Sequence, residues 1–126
     1  MDKKVIATTG APGAIGPYSQ AIRAGHFVYT SGQLPINPQS GELLSEIKEA
    51  TAQCIENVRA ILEEAGTSLE KAVKTLVFLS DMNDFAAMNE VYAKYFSVNP
   101  PARSCVEVAR LPKNAKVEIE VVALVE

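Results

Sequence analysis

Ten residues near the end of the chain, Lys116 to Val125, alternate with a period of two. Val117, Ile119, Val121, Ala123 and Val125 fall on one side. Lys116, Glu118, Glu120, Val122 and Leu124 fall on the other. Successive side chains of a strand point to opposite faces of a sheet, so this pattern demands a strand with one wholly apolar face. Something must cover that face, and two segments upstream have the required shape. Ile47, Thr51, Cys54, Ile55, Val58, Ile61, Leu62 and Ala65 recur at helical spacing between charged residues, with Gly66 placed to end the helix. Phe85, Met88, Val91, Tyr92, Tyr95 and Phe96 form a second stripe, which Asn83 or Asp84 can cap and Pro100 closes.

Between the helices, Val73 to Leu79 is a nearly continuous apolar run, as in a largely buried strand. Lys4 to Thr8 reads as a short strand. Ala21–Arg23 and Phe27–Ser31 flank Ala24-Gly25-His26 as a hairpin, and residues 35–42 form a long turn region. Another strand covers Arg103 to Ala109. The predicted order is β-β-β-α-β-α-β-β, an α+β chain with a mixed six-stranded sheet and two helices on one face. At 126 residues it is expected to form one domain over residues 1–126. Two helices leave the other sheet face bare. That face begins acidic and ends in Val122 and Leu124, which predicts cover by another subunit. The 48% hydrophobic content, high for an isolated small domain, points the same way.

Composition excludes several functions. The net charge of -3 disfavours phosphate-backbone binding as the main task. No concentrated basic run or aromatic stacking platform suits RNA. No apolar run approaches the roughly 20 residues of a membrane span. The N-terminal residues lack a long apolar stretch and a cleavage site. A reduced, cytoplasmic protein is the expectation. Cys54, Cys105 and the single histidine, His26, give no zinc constellation and no evident Cys-His nucleophile.

The chemistry concentrates in Pro100-Pro101-Ala102-Arg103-Ser104-Cys105-Val106-Glu107. The prolines deny a helix, and alternation then puts Arg103, Cys105 and Glu107 on one strand face. A guanidinium at the end of a strand is a permanently charged planar fork suited to a carboxylate. The plainer alternative is a surface pair with Glu107 or Glu118. Cys105 is close enough to Arg103 for the cation to lower its thiol pKa.

This segment resembles the signature of the Rid (reactive intermediate deaminase, YjgF-type) family. Two further matches follow the family's order: Ile15-Gly16-Pro17-Tyr18-Ser19-Gln20-Ala21 and Thr30-Ser31-Gly32-Gln33-Leu34-Pro35. Together they make the resemblance specific over nearly the whole chain. It implies a chorismate-mutase-like fold and a homotrimer with active sites between subunits. It implies hydrolysis of 2-imino acids, such as 2-iminobutanoate and 2-iminopropanoate, to 2-keto acids and ammonia, without a cofactor or metal. By resemblance Arg103 holds the substrate carboxylate. Glu118, from Lys116-Val117-Glu118-Ile119-Glu120, orients or activates water, with Glu120 as its rival. Tyr18 becomes a pocket wall with its hydroxyl near substrate or water. Ser31 and Gly32 line the cleft opposite Arg103. Cys105 lines the pocket, its carbonyl helping to hold the water, and Asn89 matches a pocket residue.

The resemblance also links the chain to pyridoxal-phosphate-dependent dehydratases, which release such imines. Phe96-Ser97-Val98-Asn99-Pro100-Pro101 departs from the family by lacking a Phe-Pro pair ahead of Ala102-Arg103. The competing function is a non-catalytic trimeric module that senses 2-keto acids or related metabolites.

Overall fold

A computed structural model describes residues 2–126. Its elements are β1 (Lys3–Ile6), β2 (Ala21–Ala24), β3 (Phe27–Thr30), α1 (Ile47–Glu64), β4 (Ala72–Leu79), α2 (Phe85–Tyr95), β5 (Ala102–Glu107) and β6 (Val117–Leu124). This is the predicted order, with strand ends moved by up to two residues. The six strands form one sheet in the order β1-β2-β3-β6-β4-β5. All pairs are antiparallel except β4 with β5, whose parallel pairing requires the crossover made by α2. The hairpin turn contracts to Gly25-His26, with Gly25 at φ 60 supplying the positive dihedral that a tight turn needs.

Val117, Ile119, Val121, Ala123 and Val125 are all buried beneath the helices. They pack with Val28, Val77 and Leu79 of the sheet and with Cys54, Ile55, Val58, Ile61 and Leu62 of α1. The chain leaves α1 as its spacing predicts: Ala65 is the cap residue, and Gly66 follows at φ 88.

The capping of α2 differs from the sequence reading. Asp81, not Asn83 or Asp84, supplies a side-chain bond, accepting from the Asn83 N–H at 2.9 Å. A short 3-10 turn, Met82–Asp84, precedes α2, and Asp84 occupies the cap position without a side-chain bond. Asp81 therefore satisfies the first free N–H one turn earlier.

The opposite sheet face carries no helix. Val5, Phe27, Tyr29, Val106 and Leu124 are all exposed there. No helix among the described residues is long and apolar enough to cross a membrane.

Candidate functional site

Backbone register decides which side chains can meet. Arg103 lies in a row with Thr75 and Val121, both buried on the helix side. Glu118 lies in a row with Phe78 and Val106 on the opposite side. Within one chain, then, Arg103 and Glu118 project from opposite faces of the same sheet. The predicted residues divide into two candidate half-sites, one on each face.

The first half-site is cationic. Arg103 Nη1 donates to Asn89 Oδ1 of α2 at 2.7 Å. Its guanidinium carbon lies 4.6 Å from the Tyr92 ring centroid and 5.5 Å from that of Phe85. The aromatic faces attract the cation and fix its plane. Tyr92 is held in turn by a 2.7 Å hydrogen bond between its hydroxyl and that of Thr75. Asn89 thus acts on the site through Arg103. Neither Glu107 nor Glu118 pairs with the guanidinium: Glu107 Oε1 instead accepts from the Met82 N–H at 2.7 Å. A guanidinium has five N–H donors, and the Asn89 bond uses one.

Cys105 is half-buried next to Arg103. The cation does lower its thiol pKa, but does not set the net direction. Burial pushes the thiol up and outweighs the lowering by Arg103. This favours the neutral thiol, not a nucleophile. β5 is an edge strand with β4 on one side only. The Val108 N–H donates to Leu79 O, so strand alternation turns the backbone groups of Cys105 to the open edge.

The second half-site is acidic and lies in a cavity of about 550 Å3. Tyr18, Ser31, Gly32 and Glu118 line it together, with Gln20, Gln33 and Lys113 among the polar residues that the sequence reading did not assign. A β-bulge builds its floor. Tyr29 faces Val122 and Gln33 faces Ile119, so four steps along one strand match three along the other. The extra residue falls between Thr30 and Gly32. The Thr30 hydroxyl takes over the Val121 N–H at 3.0 Å, and Gln33 and Ile119 resume the ladder with reciprocal backbone bonds. Bulges re-aim side chains in this way. Here the Glu118 carboxylate lies over the Cα of Gly32, in space that any β-carbon would occupy. Burial, and secondarily Glu120, push the Glu118 carboxyl above the usual range.

Ser31 has a role beyond lining the cavity. Its hydroxyl donates to Ser19 O, and its N–H donates to Gln20 O at 2.8 Å. The buried Gln20 amide in turn accepts from the Thr8 N–H at 2.7 Å and donates to Pro12 O at 2.8 Å. These bonds tie the loop before β2, and with it Tyr18, to the sheet. Tyr18 itself is half-exposed, and its hydroxyl accepts from the Ile15 N–H at 3.3 Å. On the far wall, buried Asn57 of α1 donates to Leu34 O and Ile36 O at 3.1 and 3.0 Å.

Comparison with known proteins places these features in a family. The profile of the family described as Endoribonuclease L-PSP matches residues 8–125. A RutC family protein of Pyrococcus abyssi is 55% identical, the match covering 100% of both chains. A protein of Escherichia coli named "Putative reactive intermediate deaminase TdcF" is 49% identical over 97% of each chain. The crystal structure of E. coli TdcF with bound serine superposes with a TM-score of 0.94 at 48% identity, covering 98% of both chains.

Proposed function

The chain belongs to the Endoribonuclease L-PSP family, the YjgF/Rid family, and from that premise we propose that it hydrolyses reactive 2-imino acids to 2-keto acids and ammonia. The proposed substrates include 2-iminobutanoate and 2-iminopropanoate. One observation carries the reading: a guanidinium fork and a desolvated carboxylate occupy opposite faces of one sheet. Neither half-site is complete. A second copy, laid against the exposed apolar face, would bring its Arg103 to the Glu118 cavity. The proposed assembly is the cyclic homotrimer that the family resemblance implies, with a site in each cleft; a head-to-tail contact between unlike surfaces closes into such a ring when its rotation permits.

In such a cleft Arg103 would hold the substrate carboxylate with its remaining donors. The imine carbon next to that carboxylate is already electrophilic. Water adds to it as Glu118 takes the water's proton. Glu118 then returns that proton to the nitrogen of the tetrahedral adduct. Glu118 next takes the hydroxyl proton and passes it to the same nitrogen, so the carbonyl forms as the C–N bond breaks and ammonia leaves. In the single chain burial raises the proton affinity of this carboxyl, an adjoining guanidinium opposes that shift, and a carboxylate that can both take and return a proton serves both transfers. Positioning supplies the rest. The relative's bound serine is compatible with a cleft built for small amino-acid-like molecules.

The substrates would come from pyridoxal-phosphate-dependent dehydratases, whose products are these imines. The reaction then removes a reactive by-product in the cytoplasm. The family description names an RNA-cleaving activity, but a net charge of -3 gives it little support. A non-catalytic module that binds 2-keto acids would keep Arg103 and dispense with Glu118.

The test generates 2-iminobutanoate with threonine dehydratase and traps it with semicarbazide. Wild type should lower semicarbazone formation, and Arg103→Ala should not. Equal trapping with and without wild-type protein would overturn the deaminase reading and favour the binding module.

A further inference from the structure

Lys113 holds an unusual backbone conformation. Its φ of 58 and ψ of 20 lie in the left-handed region, which a lysine seldom adopts. The turn around it is anchored on both sides. Leu111 and Ala115 are buried, and the Asn114 and Ala115 N–H groups donate to Leu111 O and Pro112 O at 3.0 and 3.1 Å. Asparagine or glycine would meet this geometry with less strain. A strained residue that persists in a well-anchored turn points to use of its side chain.

Lys113 lines the Glu118 cavity, and among the lining residues it is the sole cation. The cavity otherwise presents Glu118, with Glu120 two residues along the same strand face. In the single chain, an anion approaching these carboxylates meets repulsion before it reaches the guanidinium of a neighbouring copy. We propose that Lys113 is an electrostatic guide at the rim of the cavity, drawing small carboxylate anions past Glu118. This rests on the deaminase reading for the identity of the substrate, but concerns capture rather than chemistry. Lys113 forms no bond in the reaction and is a positioning residue.

The probe is 2-oxobutanoate, the stable product anion, measured by calorimetry across a range of ionic strength. Lys113→Asn keeps the backbone conformation and removes the charge. At low salt it should weaken binding roughly threefold to tenfold, and the deficit should shrink as salt screens the charge. Lys113→Arg should restore affinity. Imine turnover should show the same loss in kcat/KM with kcat unchanged, and thermal stability should hold or rise in Lys113→Asn.

Wild-type affinity and salt dependence in Lys113→Asn would overturn the proposal. So would failure of Lys113→Arg to rescue, or salt-independent or absent binding of the probe to wild type. Salt- and Lys113-dependent binding without any imine turnover would sink the deaminase reading and leave the guide standing. Turnover with an indifferent Lys113→Asn would do the reverse.

Discussion

The carboxylate of Glu118 and the Cα of Gly32 share a space with no room for a β-carbon. The β-bulge after Thr30 creates this proximity, and a glycine is the only residue that permits it. Gly32→Ala should therefore displace the Glu118 carboxylate. The expected result is a fall in imine turnover of roughly 10²-fold or more, the usual contribution of a positioned acid–base group. Binding of 2-oxobutanoate should survive, since the substitution leaves the Arg103 clamp of a neighbouring copy in place. Unchanged turnover in a folded Gly32→Ala protein would separate Glu118's position from catalysis.

Glu118 also ties function to stability. Its folded-state pKa is raised, chiefly by burial. Between the ordinary carboxyl value and the raised one, the folded chain binds more protons than the unfolded chain. Stability must then fall as pH rises through that window. Glu118→Gln removes the titration. In an Arg103→Ala background, which removes the opposing guanidinium of a neighbouring copy, its thermal midpoint should exceed that of the protein retaining Glu118 by a margin that grows from acid to neutral pH. A margin that is constant or shrinks would show that the carboxylate is not held in a desolvating site. Circular dichroism melts from pH 4 to 8 make the comparison.

The shelf beneath Arg103 separates two contributions. Asn89→Ala removes the side-chain hydrogen bond that Arg103 makes, and a hydrogen bond to a charged group is worth about 1.5–3 kcal/mol. Affinity for 2-oxobutanoate should fall as the fork loses its fixed orientation. Tyr92→Phe keeps the ring face and loses the bond to Thr75. It should cost about 1 kcal/mol of stability with little change in affinity. Denaturant melts and calorimetry read the two effects. Equal affinity losses in both variants would show that Arg103 is oriented by packing in general and not by Asn89.

Much of this was legible in the sequence. The alternation of Val117 to Val125 and the stripes of the two helices fix the sheet, its cover and its bare face, because burial acts on periodicity directly. The same alternation puts Glu118 on the uncovered side. It does not reveal that Arg103 faces the other way, since β5 is short, mostly exposed and without a strong apolar face. That assignment comes from its register with Thr75 and from Asn89, both tertiary facts. The bulge leaves no periodic trace, because one extra residue at Ser31-Gly32 falls where the strand already reads as ending. The direction of the Cys105 shift rests on two opposed effects, burial and the Arg103 charge, whose balance depends on coordinates. Lys113's left-handed turn has only the faint signal of a neighbouring asparagine.

Catalysis in the proposed cleft depends above all on Arg103 and Glu118 being contributed by different copies of the chain. Arg103→Ala and Glu118→Gln should each be inactive in imine hydrolysis. Unfolded together in equal amounts and refolded, they should recover about a quarter of wild-type activity. In a ring with one site per contact, that fraction of contacts joins an intact Arg103 to an intact Glu118. Recovery near that level confirms a site shared between subunits. No recovery, with the mixed oligomers shown to have formed, would contradict it.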